Sequence, residues 1–272
     1  MATYIETHDT KIMIDPGVNL AKKRYGLPPH PIELEKKEEH WKEIVRYAQK
    51  ADVIIITHYH YDHYNPVDNL EIFDDKYLFI KNPIQKINES QKGRAKVFLE
   101  EIKKRPIEII YADGREFFIG ETRILFSNPV FHGADPKLGY VIQVLIDDFE
   151  KKFLFTSDVQ GIVNNEQKEF ILENKPDIIF LDGPVTYLPS DRATPNIIRN
   201  SLENITALLK QEFIKTMILD HHLLRDINWK ILLQRHIIAS LTEKIRTAAE
   251  FCGKPITLLE ANRNRLWAEE KT

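Results

Sequence analysis

Residues 52–57, DVIIIT, place Val53, Ile54, Ile55 and Ile56 in an unbroken β-branched run. The run does not alternate with polar residues, so it predicts a strand covered on both faces. Such a strand needs a packing layer on each side, which restricts the chain to a layered sandwich. Immediately after it comes HYHYDH, residues 58–63, with three histidines and an aspartate within six positions.

The rest of the chain fits that restriction. ATYIET, the turn His8-Asp9-Thr10 and KIMID predict an opening hairpin. A helix is expected from about Pro31, because Ile44, Val45 and Ala48 recur at helical spacing. A second is expected over 82–105, stopped before Pro106. Residues 107–130 read as strand, Asp-Gly turn, strand, Gly turn, strand. Two more strands flank the acidic turn in LIDDFEKKFLF. Helix and strand then alternate: NNEQKEFILENKP, DIIFLDG, TPNIIRNSLENITALLKQE, FIKTMILD. A long helix over about 229–252 and a strand at PITLLEA complete the expected order. No linker-like boundary interrupts it, so one domain is expected over 1–272.

The 272 residues are 43% hydrophobic and 29% charged, enough to build a core without disulfide or structural metal. The net charge of −3 gives no overall basic footprint for nucleic acid. The one cysteine, Cys252, excludes an intramolecular disulfide and a thiolate cluster, and fits a reducing cytoplasm. The first residues lack a signal-peptide profile, and no apolar run is long enough to span a membrane. Abundant Ile, Lys and Glu lean towards a thermophile.

His58 and His60, two apart just past a strand, can point the same way, while Asp62 and His63 begin the next turn. Imidazole with carboxylate suits zinc, manganese or iron rather than calcium or magnesium. A closed site needs three or four protein ligands, so distant segments must add some. The candidates are polar residues at strand ends: His132, Asp158, Asp220, His221 and His222. His8, His30, His40 and His236 are left as surface or locally bonded residues.

In order along the chain, Asp15 in MIDPG, the H-x-H-x-D-H at 58–63, His132, Asp158 and His221-His222 resemble the metallo-β-lactamase superfamily. More narrowly, the chain is similar to uncharacterised archaeal predicted hydrolases of that group. The resemblance implies an α/β fold, a four-layer αββα sandwich with its metal site at one edge of the sheets. It implies two divalent ions, zinc first, with manganese or iron as alternatives. His58, His60 and His132 would hold one. Asp62, His63 and one of the paired histidines would hold the other, with Asp158 bridging and Asp15 bracing the loop. His222 is the preferred ligand of the pair, because the resemblance favours it and it lies further beyond the strand. His221 is then free to meet the oxyanion or protonate the leaving group. Ser157 departs from the glycine usual before the bridging aspartate. His60 stands where redox di-iron relatives usually have Glu, which favours hydrolysis. A hydroxide between two metals forms near neutral pH, and Asp62 would orient it and accept its proton.

The expected function is therefore a dinuclear metal-dependent hydrolase of an ester, thioester, lactone or phosphodiester in a small substrate. Residues 81–105 carry eight basic against three acidic side chains, which keeps a phosphodiesterase or nuclease acting on nucleic acid as an alternative. A non-catalytic metal-binding scaffold is the other. Tyr187 and Arg192, in a loop expected at the same sheet edge, are candidates for substrate contact. Tyr59, Tyr61 and Tyr64 are expected to wall the site.

Overall fold

In a computed structural model of the chain, which describes residues 1–187 and 193–270, two large sheets face each other between layers of helices. The first sheet has the order β1 (Thr3–Glu6), β2 (Lys11–Ile14), β3 (Val53–Ile56), β4 (Tyr77–Ile80), β5 (Glu108–Tyr111). Only β1 and β2 run antiparallel; β2 to β5 are parallel. The chain then forms β6 (Glu116–Ile119), β7 (Thr122–Phe126), a small hairpin of β8 (Val130–Phe131) with β9 (Tyr140–Val141), β10 (Val144–Asp147), β11 (Lys152–Phe155), β12 (Ile178–Asp182), β13 (Thr216–Asp220) and β14 (Ile245–Arg246). The second sheet has the order β14-β13-β12-β11-β10-β7-β6, parallel from β14 to β11 and antiparallel beyond.

The run in β3 shows why the sequence must layer. Val53 and Ile55 enter the core between the sheets, with Ile12, Ile14, Phe126, Val144, Phe155 and Phe180. Ile54 and Ile56 point the other way, under helices α1 (Pro31–Lys50) and α2 (Glu89–Ile102), against Trp41, Ile44, Ala48, Ala95 and Phe98. All four are fully buried, worth roughly 1.5–3 kcal/mol each. On the opposite side α3 (Asn165–Asn174), α4 (Pro195–Leu209) and α5 (Trp229–His236) cover the second sheet through Ile171, Leu202, Ile205, Leu208 and Leu233. The layer order is the expected αββα. Among the described residues, no helix is long and apolar enough to cross a membrane.

Three expected elements differ. The helix expected over 82–105 begins only at Glu89. Asn82 Oδ1 accepts from the amides of Ile84 and Gln85, a side-chain turn that keeps the backbone out of a helix, and Asn88 caps the real start through Gln91 N. The helix expected over 229–252 is broken into α5, α6 (Ala239–Thr242), β14 and α7 (Ala248–Phe251). Pairing of β14 beside β13 captures Ile245, and Thr247 restarts a helix with a reciprocal cap from Glu250. PITLLEA forms no strand: β14 occupies the sheet edge beside β13, and the segment turns into α8 (Arg263–Glu269), which has no counterpart in the sequence reading. Buried Arg263 fastens α8 to the start of α1, donating from Nε and Nη2 to the two carboxylate oxygens of Glu33 at 2.8 and 2.9 Å.

Candidate metal centre

Parallel β2 and β3 finish at the same edge, so the residue after β2 can reach the residue after β3. Asp15, at φ 50°, accepts from Thr57 N at 2.8 Å and from Thr57 Oγ1 at 2.6 Å. Its Oδ2 also lies 2.7 Å from Nδ1 of His63. One buried carboxylate thereby fixes both ends of the 57–63 loop. The loop lies hard against Gly17, where an added Cβ would sit 2.2 Å from Tyr64 N, so only glycine fits there.

With Nδ1 of His63 held by Asp15, its Nε2 faces Asp158 Oδ1 at 2.9 Å. His221, which leaves β13 at φ 60°, brings Nε2 to 3.4 Å from the same oxygen and 3.7 Å from Asp62 Oδ2. The other oxygen of Asp158 lies 3.3 Å from His132 Nε2 and 3.7 Å from His58 Nε2. His60 Nδ1 is 3.1 Å from the Nε2 atoms of both His58 and His132. Two four-residue donor sets result, His58-His60-His132-Asp158 and Asp62-His63-Asp158-His221, each with its donor atoms within 4.8 Å of one another; two smaller groups, Asp15-His58-His63 and Asp182-His221-His222, meet the same limit. Asp158 belongs to both four-residue sets.

These residues fit divalent ions. The buried atoms His63 Nε2, His221 Nε2 and Asp158 Oδ1 make no hydrogen bond, although groups of this kind are normally satisfied when buried. Nitrogen and carboxylate donors in sets of four suit zinc and its neighbours. Burial keeps most of the imidazoles neutral, the form that ligates. It pushes His58 well below its usual range, aided by charge on His63, and takes His60 to about 3 and His221 to about 4. His63 is the exception. Burial opposes its charge, but the carboxylates of Asp158 and Asp15 outweigh it and lift the ring to about 10. Asp158 stays ionised despite burial because His63 and His221 hold it well below the carboxylate range.

The order expected for the histidine pair is reversed in this geometry. His221, not His222, stands with Asp62, His63 and Asp158. The left-handed turn at His221 swings its ring back towards the first sheet. His222 instead places Nδ1 2.9 Å from both oxygens of Asp182 and donates its backbone N–H to Oδ1 at 3.1 Å. Burial and the nearby charge of Asp158 raise Asp182 to about 7. The sequence reading missed Asp182, although it ends β12 just as Asp158 follows β11. Ser157, at φ 58°, takes the left-handed conformation that glycine would adopt freely. Its Oγ lies 2.6 Å from Thr57 Oγ1 and 3.3 Å from His58 Nδ1, so the serine joins the supporting network.

Other expectations need correction. Tyr59 and Tyr64 do not wall the site; both are buried in the core beneath α1 and α2. Tyr61 alone is exposed, with the Arg94 guanidinium 4.7 Å above its ring. Lys81 is not part of a basic face: it is buried and paired with Asp113 at 2.8 Å. Tyr187 lies between two arginines, with Arg24 4.5 Å over its ring and Arg225 Nη1 3.4 Å from its hydroxyl. Arg192 lies outside the described residues.

The chain is similar to known proteins in sequence and in fold. A sequence model of the Beta-lactamase superfamily domain matches residues 10–222. A UPF0282 protein of Korarchaeum cryptofilum is 48% identical over 270 residues, covering 98% of this chain and 89% of its own. The solved isothiocyanate hydrolase from Delia radicum gut bacteria superposes with a TM-score of 0.60 at 17% identity, over 91% of this chain and 93% of that one. A protein described as a possible metal-dependent hydrolase, from Veillonella parvula, gives 0.60 at 12% identity over 90% and 92%. These two structures share the fold. Matched by the superfamily over most of its length and by a half-identical relative over nearly all of it, the chain belongs to the beta-lactamase superfamily and, within it, to the UPF0282 family of archaeal proteins.

Proposed function

We propose that this chain is a dinuclear metal-dependent hydrolase acting in the cytoplasm on a small substrate with an ester, thioester, lactone or phosphodiester bond. The observation that carries the reading is the sharing of Asp158 between two four-residue donor sets. Two divalent ions, zinc first, would supply there an activated water near neutral pH and a Lewis acid for the substrate's carbonyl or phosphoryl oxygen. Asp62 Oδ2 would take the proton of the attacking water. His222, kept neutral by burial at about 3, would give the leaving group a proton from Nε2 while its Nδ1 takes one from the Asp182 carboxyl, which burial raises to about 7. This gives His222 the acid role that the sequence reading had assigned to His221.

The nuclease reading gains little from α2. Lys81 is buried, and Lys92 and Lys103 lie beside Glu89 and Glu100. The test is elemental analysis of protein purified without chelator, followed by turnover on phosphodiester, thioester, ester and lactone substrates. About two ions per chain and hydrolysis of one class are expected, with Asp158→Ala losing at least one ion and all turnover. A chain that takes up no metal on reconstitution sinks the reading.

A further inference from the structure

Beside the donor sets lies a cleft of about 250 Å³, bounded by Asp62, His221, Leu224, Arg225, Leu258 and Glu260. Half of its lining residues lie beyond 222, where the superfamily match ends. The cleft is smaller than pockets that take drug-sized ligands, and holds the volume of about eight waters. It suits a short arm of a molecule.

Arg225 sets its chemistry. The side chain is 20% exposed, permanently charged, and carries five N–H donors. Among the described residues its one hydrogen bond is the 3.4 Å contact to the Tyr187 hydroxyl. Asp62 Oδ2 at 3.7 Å and Glu260 Oε2 at 3.6 Å are beyond hydrogen-bond reach. Both are loose ion pairs, and each carboxylate has another role. Glu260 Oε1 accepts from Arg24 Nε at 3.1 Å, Arg24 Nη2 at 2.9 Å and Ala21 N at 3.3 Å. Asp62 belongs to a donor set. Arg225 thus brings to the cleft a guanidinium whose ion pairs are loose, and an anion that met its N–H donors directly would gain charge-assisted hydrogen bonds.

We propose that Arg225 binds an anionic oxygen group, a carboxylate or a phosphate, on one end of the substrate, whose short apolar arm packs on Leu224 and Leu258. Calling the ligand a substrate rests on the hydrolase reading; the anion site itself does not. Calorimetry on metal-free protein therefore tests it, since no metal is then present to hold the anion. Glutarate and phenyl phosphate are the probes, with neutral glutaramide as control. At least one anion should bind, and which one does identifies the group. Arg225→Gln should weaken it at least tenfold and Arg225→Lys less, with glutaramide unaffected by either. Glu260→Gln should tighten the anion severalfold by removing competing negative charge, and that gain should vanish in the Arg225→Gln/Glu260→Gln double variant. Equal binding by wild type and Arg225→Gln, or no anion binding by the folded wild type, overturns the proposal. Should Arg225→Gln fail to fold, the Glu260→Gln result decides, with weakening counting against it. Metal content and turnover judge the hydrolase reading separately.

Discussion

Asp15 Oδ2 lies 2.7 Å from His63 Nδ1, and the same carboxylate accepts two hydrogen bonds from Thr57. Acting as a brace, it would aim His63 Nε2 without holding an ion itself. Asp15→Ala should therefore weaken metal binding by roughly 10–100-fold, read by chelator competition. Because His63 and Thr57 would be left buried without their partner, it should also cost the metal-free protein about 3 kcal/mol in urea denaturation. Unchanged affinity would end the bracing role.

Proton and metal compete for His63. Its folded value near 10 lies above the ordinary 6.5. Stability contributed by its charge in the metal-free protein is thus complete below about pH 6.5 and lost as pH rises through about 10. Chelated protein should be less stable to urea at pH 9.5 than at pH 8, a window in which His58, His60, His221 and His222 are neutral folded and unfolded alike. At pH 8, metal uptake should release about two protons per chain, one from His63 and one from the water that the ions activate, seen as a buffer-dependent calorimetric heat. Release of about one would mean that His63 is already neutral.

The histidine pair should separate cleanly. His221→Ala should lower metal content. His222→Ala should keep both ions and cut turnover about 10²–10⁴-fold, the range of a lost general acid. Asp182→Asn should resemble His222→Ala, because it removes the group that orients the ring. Metal loss on replacing His222, with full occupancy on replacing His221, would restore the order expected from the sequence.

Arg263 and Glu33 are both fully buried and pair through two hydrogen bonds. Arg263→Ala leaves the carboxylate unpaired and should cost about 3–5 kcal/mol. Arg263→Met with Glu33→Gln should cost clearly less, since no lone charge remains. Equilibrium denaturation of the two variants checks this, and equal losses would contradict it.

Much of this was legible because strand ends are predictable. The β-branched run fixed β3, and so the place where His58, His60, Asp62 and His63 project. Asp158 and the histidine pair follow apolar strands of the same kind. Their directions were not legible. The left-handed backbone at His221 decides which histidine turns inward, and two adjacent histidines carry the same local preference for it. Arg225 and Glu260 met for tertiary reasons alone, through the docking of a segment that reads as a strand. The helix beginning near 82 failed because Asn82 offered the backbone a competing turn, a local cue that periodicity ignores.

Each donor set takes members from the loop after β3 in one sheet and from Asp158 after β11 in the other. Ions held there would rivet the two sheets at one rim, while the opposite rim is pinned without metal, by Asp9 accepting from Thr122 Oγ1 and Glu121 N and by Thr10 Oγ1 donating to Ile119 O. The sandwich would then have one end whose rigidity varies with metal supply and one end indifferent to it. Scarcity of metal would be felt first as breathing at the rim where substrate enters, well before the body of the fold gave way.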